Sequence, residues 1–220
     1  MASAQLYINK GCPYAHRAYL VAIEKGLVAK GAVELVETSL PTPDWYNKDV
    51  NPRATVPALR LANGQVVPES LVVIQYLDEA FPDVPLMPKD PKDRADIRVF
   101  IADFDSAIGG LFKILFEKDD AKRAELIKSA QDDIAFIERA LEAKSKGPYF
   151  LGEQFSLADV AILPFLDRLR HTLLELRGFN LFEHAPRLSA LIAAAEQRPS
   201  FRETSQSKDR YVSDVKAYLA

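Results

Sequence analysis

One cysteine among 220 residues sets the first limits on what this chain can be. A single thiol cannot form a disulfide within the chain, so this is not a cystine-stapled scaffold, and a reducing, cytoplasmic setting is the expectation. Three histidines and one cysteine, with no ligand-like spacing, point to no metal site. No apolar run approaches the roughly 18 residues needed to span a bilayer. The first residues carry no secretory leader pattern. A net charge of -3 offers no surplus for nucleic acid or a membrane surface. Repeats and low-complexity tracts are missing as well. What remains is 48% hydrophobic and 27% charged, an ordinary globular composition, with length for one large domain or two small ones.

The lone cysteine lies in Gly11-Cys12-Pro13-Tyr14-Ala15-His16-Arg17, after the short apolar run Leu6-Tyr7-Ile8. Pro13 suits the first turn of a helix, where its missing N–H costs nothing. Cys12 is thereby predicted at a strand-to-helix turn. Unpaired N–H groups and the positive end of the helix dipole both favour a thiolate there. The competing reading is a small buried hydrophobe, and the position favours the reactive thiol.

Gln5–Ile8 reads as a buried strand, the segment after Cys12 as a helix ending at Gly26, and Val33–Thr38 as a second strand rich in branched residues. Together they form a right-handed parallel crossover. A polar, proline-bearing segment from Ser39 to Thr55 holds the only tryptophan, Trp45. Pro57–Leu61 and Gln65–Val67 then flank an Asn63-Gly64 hairpin turn, and a helix follows from Ser70. The order β-α-β, connection, β-β-α is that of a thioredoxin-like domain.

Two further features of this half carry chemistry. Val56-Pro57 starts the third strand. It reads either as a plain strand-start proline or as a cis-proline, and the cis form turns the backbone of Val56 outward as an open edge for an extended peptide. Glu69-Ser70 opens the next helix. Ser70 is a candidate N-cap, and a helix start with a neighbouring carboxylate also suits the paired charges of a free amino-acid head group. The domain thus offers a place for an amino-acid head, an edge for a peptide middle and a cysteine for a sulfur.

Pro82, Pro85, Pro88 and Pro91 then read as a stiff connection. Beyond it the periodicity is helical throughout. Ile97, Ile101, Phe104, Ile108, Leu111 and Leu115 form one stripe, and Ile127, Ile134, Ile137 and Leu141 form the next, as in an antiparallel bundle. Gly109-Gly110 predicts a bend or a close approach by another group. Ser156 and Asp159 have capping-box spacing, with Phe155 and Val160 at the staple positions. The predicted organisation is a thioredoxin-like domain over 1–82, a linker over 83–91 and an all-α domain over 92–220. Phe112, Phe116, Phe165 and Arg168, together with Tyr14, are candidates for a substrate cleft. His16 reads as a solvated side chain rather than a tuner of the thiolate, and His171 and His184 have no recognisable partners.

Cys12-Pro13-Tyr14-Ala15, Val56-Pro57-Ala58-Leu59 and Glu69-Ser70 resemble, in order and separation, the glutathione site of cysteine-type glutathione transferases. Pro43-Asp44-Trp45-Tyr46 looks most like the lambda class, with the omega class and dehydroascorbate reductases as near relatives. The Phe155–Val160 run resembles the folding motif of the family's helical domains. The resemblance implies glutathione as co-substrate, with Cys12 catalytic and Val56, Pro57, Glu69 and Ser70 at the peptide. Thr42 stands where omega enzymes have a lysine, leaving Lys48 or Arg53 for the glycine carboxylate. The second cysteine of dithiol oxidoreductases is replaced by Ala15, so Cys12 needs glutathione to resolve its mixed disulfide. The expected activity is a thiol transferase acting on small-molecule or protein mixed disulfides. Glutathione conjugation, dehydroascorbate reduction and a non-catalytic carrier of flavonoid-like ligands are the alternatives. No metal, nucleic acid or membrane is expected, and the protein is expected as monomer or homodimer.

Overall fold

A computed structural model describes residues 4–219. Strand β1 (Ala4–Ile8) buries Leu6, Tyr7 and Ile8 inside a four-stranded sheet, in which it lies between β2 (Val33–Glu37) and β3 (Ala58–Leu61), with β4 (Val66–Pro68) beyond β3. It runs parallel to β2 and antiparallel to β3, with Leu6 opposite Leu35 and Leu59. Between β1 and β2, helix α1 (Pro13–Glu24) begins on Pro13 and ends before Gly26, whose φ of +66° an L side chain adopts only with strain. β3 pairs with β4 (Val66–Pro68) across Asn63-Gly64, where Gly64 has φ +84°. Helix α3 (Ser70–Ala80) closes the motif and packs on α1. The polar segment after β2 contains an additional short helix, α2 (Asp44–Asp49), which hydrophobic periodicity did not reveal.

The chain packs as two units. The first runs to Leu86 and takes in Arg198–Ser205; the second comprises Met87–Gln197 and the chain from Gln206 on. In the second, α4 (Pro91–Phe116) packs against α5 (Asp120–Lys144) and α6 (Leu157–Arg177), and α7 (Pro186–Ala195) against α5 and α6. Pro91 opens α4, and the Asp90 side chain caps it by accepting from the Lys92 and Asp93 N–H groups. The α4 stripe from Ile97 to Leu115 is buried as its spacing requires. Helix α4 continues through Gly109-Gly110, and no neighbouring backbone comes close: a Cβ on Gly109 would meet nothing within 4 Å, and one on Gly110 only Asp133 Oδ2 at 3.9 Å. α6 is buried from Leu157 through Leu169, including Pro164. Short α8 (Pro199–Thr204) packs on α1 within the first unit, and α9 (Lys208–Leu219) packs on α6.

Candidate functional site

Cys12 is the N-cap of α1, with φ -96° and ψ +120°. Asn9 shapes the turn that delivers it. The Asn9 carbonyl accepts from the Cys12 N–H (3.0 Å), its Oδ1 from the Gly11 N–H (2.9 Å), and its Nδ2 donates to the Thr38 carbonyl (2.8 Å). The Cys12 Sγ lies 3.9 Å from the Val56 carbonyl oxygen. Cys12 thus stands at the end of α1 where the first N–H groups have no acceptor within the helix, a setting that favours negative charge.

Val56-Pro57 is cis, the isomer its neighbourhood suggested; Leu40-Pro41 is cis as well. The loop before Val56 is pinned from below. The Thr55 carbonyl accepts from the Tyr46 hydroxyl (2.7 Å) and from Asn51 Nδ2 (2.9 Å), while Asn51 Oδ1 accepts from the Arg53 N–H (3.2 Å). Burial pushes the Tyr46 phenol up to about 12, so it remains a donor at any working pH. Asn9, Tyr46 and Asn51 were not identified from the sequence as site residues. Only the turn preference of asparagine hinted at two of them.

Ser70 is not the N-cap of α3 but its first helical residue. Glu69 holds the cap position with φ +71° and ψ +119°, a strained conformation for a non-glycine residue. The Glu69 carboxylate pairs with Arg53 at 2.6 Å, with both side chains more than half exposed. Lys48, exposed on α2, does not line the cavity. Cys12, Tyr14, Val56, Pro57, Glu69 and Ser70 do converge, around a cavity of about 310 Å³ completed by Leu40, Ala54 and Thr55.

Other candidates lie elsewhere. Tyr7 is buried against Trp45 and Tyr46, and its hydroxyl donates to Gln5 Oε1. His16 is buried rather than solvated; its Nε2 is 2.8 Å from Thr204 Oγ1 and its ring stacks on Phe201. In the second unit Phe165 has no exposed surface and meets Phe104 and Phe112 edge-on, so it is a core residue. Arg168, also buried, lies 4.6 Å over the Tyr211 ring. Phe116 is exposed at the end of α4. His171 stacks on Tyr211 with Nε2 3.9 Å from Asp167, and burial lowers its pKa, followed by the effect of Arg170. Among the described residues no group of three or more His, Cys, Asp or Glu could hold a metal, and no helix is long and apolar enough to cross a membrane.

A thioredoxin-like sheet with a helix-start cysteine facing a cis-proline, followed in sequence by a helical unit, defines the class. Residues 11–80 match the glutathione S-transferase N-terminal domain and residues 95–204 the glutathione S-transferase C-terminal domain; the chain belongs to the glutathione S-transferase family. It is 33% identical to Protein IN2-1 homolog A of Oryza sativa, over 92% of this chain and 80% of that one. It is likewise 33% identical to the chloroplastic glutathione S-transferase L2 of Arabidopsis thaliana, over 97% and 70%. Among solved structures, omega transferase 3C of Trametes versicolor matches with a TM-score of 0.83 at 30% identity, over 96% and 92% of the two chains. The trimeric Leishmania transferase TDR1 matches at 0.88 and 33%, over 99% of this chain, which spans 49% of that one. The similarity to lambda (L) and omega proteins agrees with the resemblance carried by the motifs.

Proposed function

We propose that this protein is a glutathione-dependent thiol transferase working through Cys12. The observation that carries the reading is the position of the only thiol. It belongs to the N-cap residue of α1 and lies 3.9 Å from the Val56 carbonyl oxygen, and Ala15 occupies the place where a resolving cysteine would stand. An extended peptide pairing with the Val56 edge brings its own sulfur toward Cys12, and the amino-acid head reaches Glu69 and Ser70. A rice transferase of this family has been solved in complex with glutathione, in keeping with that ligand.

The Cys12 thiolate attacks the glutathione sulfur of a substrate–glutathione disulfide. A Cys12–glutathione disulfide forms, the substrate sulfur leaves as a thiolate, and solvent protonates it. A second glutathione thiolate attacks that mixed disulfide, leaving oxidised glutathione and the Cys12 thiolate. The net exchange consumes one free glutathione, the substrate's own glutathionyl group leaves within oxidised glutathione and the substrate leaves as its thiol, and the kinetics are ping-pong. Dehydroascorbate reduction would consume the same Cys12 thiolate.

Exposure to oxidised glutathione followed by mass spectrometry should show one added glutathionyl group, mapped to Cys12 and removed by glutathione. Cys12→Ser should abolish disulfide reduction. Undiminished turnover in that variant would refute the reading.

A further inference from the structure

A peptide with its head at Glu69 and Ser70, its middle at Val56 and its sulfur at Cys12 leaves Leu40, Ala54 and Thr55 to receive its carboxyl end. All three are uncharged, and all three are exposed, so the cavity opens to solvent there. Among the described residues that line the cavity, Glu69 is the only one with a carboxylate or a basic side chain. The charges of the cavity itself, the Glu69 carboxylate and the Cys12 thiolate, are therefore both negative, and they repel a second carboxylate rather than attract it.

The polar groups around that end are engaged elsewhere or are neutral. Thr42, in the turn that leads from Leu40 into α2, is buried; its hydroxyl donates to Asn47 Oδ1 at 2.6 Å, and Asn47 Nδ2 donates back to the Thr42 carbonyl at 3.3 Å. That side chain is spent on α2 rather than on a ligand. The Arg53 guanidinium meets Glu69, the acid of the head-group end, and Lys48 stands outside the lining. Thr55 Oγ1 accepts from Asn51 Nδ2 at 3.2 Å, and the proton it carries serves a carboxylate or a carboxamide oxygen alike. Strong selection of a carboxylate takes a charge-assisted, often bidentate, donor. A neutral hydroxyl and solvent do not supply one.

We propose that the site reads the γ-glutamylcysteinyl part of its ligand and not the terminal carboxylate. Its substrates then include disulfides of γ-glutamylcysteinyl peptides whose carboxyl end is amidated or extended by a larger group, with that end leaving the cavity past Leu40, Ala54 and Thr55. The proposal rests on the glutathione reading above and widens the class of thiol that reading admits. Such a peptide thiol takes the place of glutathione in both exchanges, so the sulfur–sulfur bonds made and broken are the same.

The test compares three ligands whose sulfur is blocked, so that Cys12 chemistry does not enter: S-methylglutathione, its C-terminal primary amide and its C-terminal benzylamide. In the parent protein, calorimetry at one ionic strength should place the acid and the primary amide within about threefold of each other, as for a charge left in solvent. The benzylamide should bind within about tenfold of the acid. A carboxylate held by a charge-assisted hydrogen bond would favour the acid on the order of tenfold to a hundredfold over the primary amide, and that result overturns the proposal while leaving the glutathione reading in place. A benzylamide that does not bind overturns it as well. Lys48→Gln and Arg53→Gln test the two nearest free-standing cations. Each should leave the acid-to-amide ratio unchanged, since any effect of Arg53 through Glu69 falls on both ligands equally. A variant that weakens the acid alone would reveal a carboxylate contact and refute the proposal. If the parent protein binds none of the three, the glutathione reading itself is wrong.

Discussion

Asp159 is the residue whose loss should be felt most sharply in the helical unit, and its environment allows the cost to be worked out. Its Oδ1 accepts from the Phe150 N–H, and its Oδ2 from both the Ser156 N–H and the Ser156 hydroxyl, all at 2.8 Å. The carboxylate is fully buried and closes the capping box of α6. Asp159→Ala removes the acceptor for two buried backbone donors and a hydroxyl. Each unsatisfied buried donor costs about 1–3 kcal/mol, so the sum is about 4 kcal/mol. For a chain of this size that lowers the midpoint by about 10 °C. Burial also pushes this carboxyl up from 3.8 to about 6, outweighing the hydrogen bonds that pull it down. Between about pH 4 and 6 the folded state therefore keeps a proton that the unfolded chain has lost, and stability falls as pH rises through that window. Asp159→Asn does not titrate. The difference in unfolding free energy between parent and Asp159→Asn should move by about 2 kcal/mol in favour of the parent from pH 7 down to pH 4. Denaturant melts at both pH values read this directly. A pH-independent difference, or an Asp159→Ala variant within about 1 kcal/mol of the parent, would refute the reasoning.

Two more outcomes follow from buried polar side chains. Asn51→Ala removes the bonds to the Thr55 carbonyl and the Arg53 N–H, so the loop carrying Val56 should loosen. KM for glutathione should rise about tenfold at a stability cost of about 1–3 kcal/mol, and Tyr46→Phe, which loses one bond to the same carbonyl, should do less. An Asn51→Ala variant with parental steady-state KM would contradict the pinning. Glu138 on α5 accepts from the Arg187 N–H at 2.6 Å and the Leu188 N–H at 3.0 Å, capping α7 from another helix. Glu138→Ala should cost about 2–3 kcal/mol in denaturant unfolding, and a loss under about 0.5 kcal/mol would rule out such a cap.

What could be read in advance followed from local rules. Pro13 after Cys12, Asn63-Gly64 between strands, and Ser156 three residues before Asp159 each state a backbone geometry by themselves, and each geometry is present. The stripes of α4 were equally legible because burial on one helix face repeats every three or four residues. Tertiary partners were not. Nothing local in the sequence marks Glu138 as the partner of the α7 N–H groups, or Asn51 as the partner of the Thr55 carbonyl. His16 read as solvated because nothing near it in sequence announces Thr204 and Phe201 from α8.

The Gly109-Gly110 pair shows the converse. Glycine permits a close backbone approach without requiring one, and here the nearest outside atom is Asp133 Oδ2, 3.9 Å from a Cβ on Gly110. Arg17 sharpens the point for the site itself. Its neighbours Cys12 and Tyr14 carry the motif, and nothing local in the sequence names a partner for the guanidinium. Only the fold brings α3 across α1, putting Ser70 over the guanidinium and leaving it 1% exposed. Burying an arginine is costly unless its donors are used. One of those donors is spent on the Ser70 hydroxyl, which ties that wall of the cavity to the packing of α1 against α3.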